Sequence, residues 1–264
     1  MSIAKKFKLL DTLKDKIDEL KPVKDWDDAF FRKVKFEFTY TSNKLEGNTL
    51  TYGQTIKLLR DFVTPKDATK GEVLDMVNHQ KILDSIFINY RSQEIAEENI
   101  KELHRELMKD RAQWADDGLY RPGQYKEFEN MTVRASGKIH TYLLPNQVTK
   151  GMEELIVVTN DLLKRADTTD MDLHPLTIAT YFHQQFLNVI HPFSDGNGRI
   201  GRIFTNLILL KNGYPPVFIK EVNKEEYLKR FELSDNDIYP MLDFMSDRLI
   251  ESLEEKWEFM KGQK

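Results

Sequence analysis

Apolar residues recur at three- and four-residue steps along most of this chain, the period of helices that bury one face. Phe7, Leu10, Leu13, Ile17 and Leu20 keep that step up to Pro22, which predicts an amphipathic helix ended by the proline. Val73, Leu74, Val77, Ile82, Leu83, Ile86 and Phe87 repeat it, as do Ile100, Leu103 and Leu107. Between Tyr120 and Pro145 the period changes. There "MTVRASGKIHTYLLP" sets Ser136 and Gly137 between two short β-favouring runs and predicts a hairpin. Helical spacing resumes with Met152, Leu155, Ile156, Leu162 and Leu163. "HPLTIATYFHQQFLNVIHPF" predicts one more helix, burying Ile178, Ala179, Phe182, Phe186 and Val189. It should stop near Ile190, since Pro192 disfavours helix at the residue before it. Another helix starts at Asn197 or Gly198, because Ile200, Ile203, Phe204, Leu207 and Ile208 share one face. No repeat, low-complexity segment or Gly/Ser linker interrupts this pattern. It predicts one mostly α bundle with a minor β-hairpin.

Composition narrows the function. The 264 residues are 40% apolar and carry a formal net charge of −4. A core of ordinary size is therefore available, and no global field gathers nucleic acid or anionic lipid. Any nucleotide would be bound locally. The absence of cysteine excludes a disulfide scaffold, a thiolate nucleophile, a Cys-ligated zinc and an iron–sulfur cluster. The opening "MSIAKKFKLLDTLKDKIDELK" has no unbroken apolar stretch of the signal-peptide kind, and the chain nowhere runs eighteen apolar residues. The expectation is a cytoplasmic protein without membrane or nucleic-acid partners.

The chemistry gathers in "HPFSDGNGRIGR", His191 to Arg202, at a helix–loop–helix junction. Gly196, Asn197 and Gly198 lie just before a helix, where free backbone N–H groups meet the positive end of the dipole and make an anion cradle. Arg199 and Arg202 are one turn apart on the face opposite Ile200 and Ile203, so both guanidinium groups can serve one polyphosphate. Asp195 would repel such a ligand unless a divalent cation stands between them, and one carboxylate with phosphate oxygens is how Mg²⁺ is commonly held. His191, at the preceding helix exit, can take a proton from a hydroxyl near neutral pH. Base, metal carboxylate, anion hole and cationic clamps together describe phosphoryl or nucleotidyl transfer. Singly, each feature has a plainer reading: a helix-end histidine, a turn, a solvated pair of arginines. Phe193 reads as the apolar foot of the loop under either view.

The same stretch resembles the pattern HxFx(D/E)GNGRxxR of the Fic-domain family at every fixed position. "IKELHRELM" and "GLYRPGQY" are similar to upstream parts of the family domain, so the resemblance runs from about Glu72 to Phe244. It implies a Fic-type helical bundle with the hairpin as its flap. It further implies that His191 is the general base toward a Ser, Thr or Tyr hydroxyl on a target protein, and that Asp195 holds Mg²⁺ against the phosphates of ATP. Gly196, Asn197 and Gly198 would bind phosphate, and Arg199 and Arg202 would neutralise the β- and γ-phosphates. The implied products are AMP-modified protein and pyrophosphate. Ile139, His140 and Thr141 fall on the flap, whose edge can register an extended target segment by strand addition.

A second match lies upstream. "SNKLEGN" resembles the family's inhibitory pattern, a Ser or Thr followed four residues later by Glu and then Gly or Asn. It implies that Ser42, Glu46 and Gly47 sit beside the nucleotide and restrain transfer. Read without the resemblance, Glu46 is a helix end capped by Gly47. The expected organisation is an N-terminal helical region, 1–71, packed on a catalytic core and C-terminal helix, 72–264, as one unit. The family's winged-helix DNA-binding module is not expected. Transfer of UMP or phosphocholine, or removal of AMP, stays open, as does self-modification, and a homo-oligomer is compatible. Two rivals remain: a metal-dependent hydrolase built on His183, His191 and Asp195, and a non-catalytic nucleotide-binding module held closed by Glu46.

Overall fold

The structure, a computed structural model, describes residues 1–20, 28–110 and 121–262. Among them are ten α-helices and one two-stranded antiparallel sheet. At the centre is α8 (Asn197–Lys211), with Ile200, Ile203, Phe204, Leu207, Ile208, Leu209 and Leu210 all buried. A helix buried on every side belongs to the middle of a bundle. Each of these side chains contributes roughly 1.5–3 kcal/mol through burial. α7 (Pro175–Gln184) packs along α8, and α6 (Pro145–Lys164) and α10 (Tyr239–Lys261) pack on α7. α9 (Lys224–Leu233) lies against α10.

The N-terminal helices close the other sides. α1 (Ile3–Leu20) runs along α10, and α2 (Asp28–Leu45) packs on α4 (Lys70–Asn89) and α8. α5 (Glu97–Met108) contacts α4, α6 and α8, while α3 (Tyr52–Asp61) bridges α2 and α4. α1 is tied down by polar contacts as well. Asp11 Oδ1 accepts from the Tyr214 hydroxyl at 2.7 Å and from His174 Nε2 at 3.1 Å, and buried Lys6 pairs with Asp243 and Asp247. Phe7, Leu10, Ile17, Phe30, Val34 and Phe38 join the same hydrophobic cluster as α7, α8 and α10. The expected division between residues 71 and 72 falls in the first turn of α4. Pro22 and the segment Gly118 to Tyr120 of the quoted motifs lie outside the described residues.

Two local devices position the site. The first is a π-helical turn, Gln185–Ile190, that continues α7 and is closed by His191 N–H donating to Phe186 O at 2.9 Å, five residues back. The wider turn shifts the helical phase, so Leu187 and Ile190 are buried. Val189, expected on the buried face, is instead 37% exposed. The second fixes the end of α2. Glu72 closes a capping box with Thr69 and also accepts from the Thr49 hydroxyl at 2.6 Å and Thr49 N–H at 2.8 Å. Hydrogen bonds from Thr49, then Thr69, hold its carboxyl down at about 2.

The hairpin forms as the sequence predicts, from β1 (Met131–Val133) and β2 (Ile139–Thr141). Its register pairs Met131 with Thr141, Thr132 with His140 and Val133 with Ile139. Gly137, at φ 81°, supplies the left-handed turn residue. No helix among the described residues is long and apolar enough to cross a membrane.

Candidate functional site

The end of α2, β1, the π-turn, the start of α8 and α9 surround a cavity of about 440 Å³. Glu46, Tyr142, His191, Asp195, Gly198 and Arg202 are among its polar lining. Leu45, Leu187, Leu228 and Phe231 give it an apolar side.

His191 follows the π-turn in a left-handed conformation, φ 48° and ψ 64°. For a residue with a Cβ that backbone costs about 1–3 kcal/mol and persists only where its surroundings dictate it. The π bond to Phe186 O is one restraint, and a contact of Nδ1 with Leu187 O at 3.0 Å is another. Because a carbonyl only accepts, Nδ1 carries the proton and Nε2 of the neutral ring presents a lone pair. Tyr142 stacks on the ring with centroids 3.9 Å apart. Burial pushes the imidazole down to about 4, against the opposing effect of the Leu187 bond, so the base form predominates at neutral pH.

The loop after His191 is built around buried Phe193. His104, on α5, stacks on that ring at 3.7 Å, donates from Nε2 to Asp195 O at 3.0 Å and accepts Gly123 N–H at Nδ1, 2.9 Å. Burial holds this histidine down at about 4, which keeps the tautomer that those two bonds need. Asn197 turns its side chain back into the loop, accepting Phe193 N–H at 2.9 Å and donating to Phe193 O at 2.7 Å. What it can offer an anion is therefore its backbone N–H, in the first turn of α8, where no intrahelical acceptor exists. Gly196 has φ 80°, and a Cβ there would meet Met108 Sδ at 3.1 Å. Asp195 accepts Gly196 N–H at 2.6 Å and borders the cavity with its carboxylate a third exposed.

The two arginines part company. Arg202 lines the cavity, with Nη2 2.6 Å from Glu46 Oε1 and 2.9 Å from Ser42 O, and Nε 3.1 Å from Ser42 Oγ. Arg199 is turned away from it: Nη1 is 2.6 Å from Asp75 Oδ1 on α4, with both groups buried, and Nη2 is 3.6 Å from Asp195. The expected convergence of both guanidinium groups on one polyphosphate is not what this geometry offers. Spacing along α8 fixed their common face, but a carboxylate 124 residues away decides where Arg199 points.

Glu46 follows the last turn of α2, and Gly47, at φ 92°, reverses the chain behind it. Its carboxylate lies over the N-terminus of α8: a Cβ on Gly198 would overlap Oε1 and sit 2.9 Å from Cδ. Burial would raise this carboxyl, but the charge and hydrogen bond of Arg202 outweigh burial and hold it below its ordinary value. Tyr227 stands behind Arg202, its hydroxyl 2.8 Å from His183 Nε2.

Other expected residues are placed differently. Ile139, His140 and Thr141 form β2, whereas the cavity is bordered by Thr132 and Val133 of β1 with Arg134 and Ala135. His140 contacts Asn188 O at 2.7 Å, and Arg134 donates to Asn188 and Asp235, so these side chains pin the flap to the π-turn and to the turn that follows α9. His183 is wholly buried and engaged by Tyr227, and burial holds it down at about 3. It does not converge with His191 and Asp195, and no cluster of three potential metal ligands occurs among the described residues. His104, Tyr142 and Asp75 were not singled out from the sequence. His104 alone left a signal there, four residues after Ile100 on the apolar face of α5.

Comparison with known proteins places this geometry among relatives. The profile described as the Fic/DOC family matches residues 94–209. Protein adenylyltransferase Fic of Drosophila persimilis is 30% identical over 246 residues, 90% of this chain and 44% of that protein. The protein of the same name from Nematostella vectensis is 30% identical over 249 residues, 90% of this chain and 53% of its own. This chain thus spans about half the length of the curated relatives it matches. The crystal structure of a Fic domain containing signaling protein from Bacteroides thetaiotaomicron superposes with a TM-score of 0.85 at 31% identity, covering 96% of this chain and 97% of that one. A Fic-1 fragment from C. elegans shares the fold at 22% identity and a TM-score of 0.76, covering 97% of this chain and 71% of its own.

Proposed function

Because this chain belongs to the Fic/DOC family, we propose that it is a protein adenylyltransferase restrained by Glu46. It would transfer AMP from Mg·ATP to a Ser, Thr or Tyr hydroxyl of a target protein or of itself. One observation carries the reading: a single cavity joins the lone pair of a neutral imidazole to the N-terminus of α8 and to Arg202. In the reaction the target hydroxyl gives its proton to His191 Nε2 while its oxygen attacks the α-phosphorus. The bond from that phosphorus to the bridging oxygen breaks, and pyrophosphate leaves. The N–H groups of Asn197 and Gly198 face the developing negative charge, and Arg202 stabilises the departing end. The apolar side, Leu187, Leu228 and Phe231, suits a planar base. An extended target segment added at the β1 edge would carry its hydroxyl toward His191.

Magnesium fits the residues present. Asp195 offers one carboxylate beside the phosphate cradle, so phosphate oxygens and water would complete the shell. Bound there, the ion would supply neutralisation of the triphosphate charge. The names of the curated relatives support AMP as the transferred group.

Restraint by Glu46 rests on charge counting. Its carboxylate takes Arg202 and lies against Gly198, where a phosphate would otherwise be received. ATP bound beside it would have its γ-phosphate displaced and its α-phosphate out of line for attack. Incubating wild type and Glu46→Gly with labelled ATP and lysate proteins, then locating modified sites by mass spectrometry, tests the proposal. AMP on hydroxyl side chains, more with Glu46→Gly than with wild type, is the expected result, and unmodified protein with both forms would overturn it.

A further inference from the structure

Behind the His191–Tyr142 stack lies a buried ammonium that the reaction scheme has not used. Lys126, 4% exposed, donates from Nζ to Asn130 Oδ1 at 2.5 Å and to Ile190 O at 3.2 Å, and the same Nζ lies 5.7 Å from the centre of the Tyr142 ring. Three donors thus have two carbonyl-type acceptors and one aromatic face. No carboxylate pairs with this lysine among the described residues. Its backbone N–H donates to Pro192 O at 2.9 Å, so Lys126 grips the chain on both sides of His191, at Ile190 and at Pro192. Asn130, held by the same Nζ, donates to Phe193 O at 3.3 Å and extends the grip by one residue.

The left-handed backbone at His191 needs such restraint, because a strained conformation survives only where neighbouring contacts fix it. The ammonium also acts through space. A buried charge without a counter-ion is weakly screened, so it disfavours a second positive charge on the nearby imidazole. Of the charged groups around His191, Lys126 opposes protonation, while Glu46 from the end of α2 and Asp195 from the loop favour it.

We propose that Lys126 is a positioning residue for His191, clasping the peptides that flank the base and holding an uncompensated positive charge behind the Tyr142 ring that stacks on it. The proposal rests on the adenylyl-transfer reading only for what the base does; the grip on His191 can be measured without nucleotide. Burial lowers the Lys126 ammonium to about 8, which makes it titratable in the folded protein.

The test follows the ring signals of His191 by NMR against pH in the nucleotide-free protein, assigned with a His191→Gln sample. In wild type a second inflection is expected near pH 8, as Lys126 loses its charge. Lys126→Arg, which stays charged, should abolish that step. In Lys126→Met the midpoint of His191 should move up toward the ordinary 6.5. In the Glu46→Gly background, Lys126→Met should lower transfer by about 10- to 100-fold in kcat with little change in KM for ATP, since misplacing the base spares nucleotide contacts. Lys126→Arg should restore most of the rate. If Lys126→Met does not fold, the wild-type and Lys126→Arg titrations decide alone. A wild-type ring with one inflection, or a folded Lys126→Met ring titrating as in wild type, would overturn the proposal. Glu46→Gly protein inert toward ATP would instead count against the transfer reading, leaving the titration result standing.

Discussion

Replacing Glu46 by Gly should release the site, and the structure gives the size of the effect. The carboxylate lies 2.6 Å from Arg202 Nη2, a charge-assisted contact on a guanidinium whose residue is only 6% exposed. Such a contact contributes roughly 1.5–3 kcal/mol. At about 1.4 kcal/mol per decade, its loss shifts the balance between unproductive and productive ATP poses by roughly 10- to 150-fold. Removing the side chain also clears the space over Gly198, so gain in rate and change in ATP pose come from one substitution. The assay is incorporation of α-labelled ATP into the protein itself at saturating Mg·ATP. Glu46→Gln, which keeps the shape and loses the charge, should fall between wild type and Glu46→Gly. Arg202→Ala should show no gain, because the clamp leaves with the inhibitor's partner. Equal rates for wild type and Glu46→Gly would refute the charge-counting argument and return Glu46 to a plain helix end.

Three further outcomes are expected. In the Glu46→Gly background, His191→Ala should lower transfer by about 10²–10⁴ while calorimetry finds Mg·ATP affinity nearly unchanged; transfer at the parent rate would remove His191 from the role of base. Asp75→Ala leaves a buried guanidinium with only the longer 3.6 Å carboxylate contact to Asp195 and should destabilise the fold by about 3 kcal/mol in urea unfolding, whereas a loss under 1 kcal/mol would show the pair to be dispensable. Acid should weaken the fold before most carboxylates titrate. His104, His183 and His191 are held at about 4, 3 and 4, so an unfolded chain, with histidines near 6.5, binds more protons as pH falls from about 7 toward 4. Stability is therefore full above about 6.5 and declines below it, and a flat urea midpoint between pH 7 and 5 would contradict the buried neutral rings.

The parts of this molecule that the sequence disclosed are those whose causes are local. Helical period located α1, α4, α5, α6 and α8, and Ser136-Gly137 located the hairpin turn. Twelve contiguous residues held the proposed cradle, base and metal carboxylate because a helix N-terminus and the loop before it are made by neighbours in the chain. Contacts across the fold were hidden. Nothing near Arg199 announces Asp75, and Asn197 closes its own loop through a hydrogen-bond pair that spacing does not show. The π-turn escaped notice because its residues keep an apolar pattern compatible with an α-helix, and only the exposure of Val189 reveals the change of phase. The pairing of Glu46 with Arg202, 156 residues apart, was reachable only through the resemblance of "SNKLEGN" to a known pattern.

The most direct test of the central claim, transfer of AMP from ATP, uses the Glu46→Gly protein with two samples of ATP, one labelled at the α-phosphate and one at the γ-phosphate. Attack at the α-phosphorus places the α label on protein hydroxyls and the γ label in free pyrophosphate, and that is the expected result. Protein carrying the γ label, or both labels recovered only in small molecules, would contradict it.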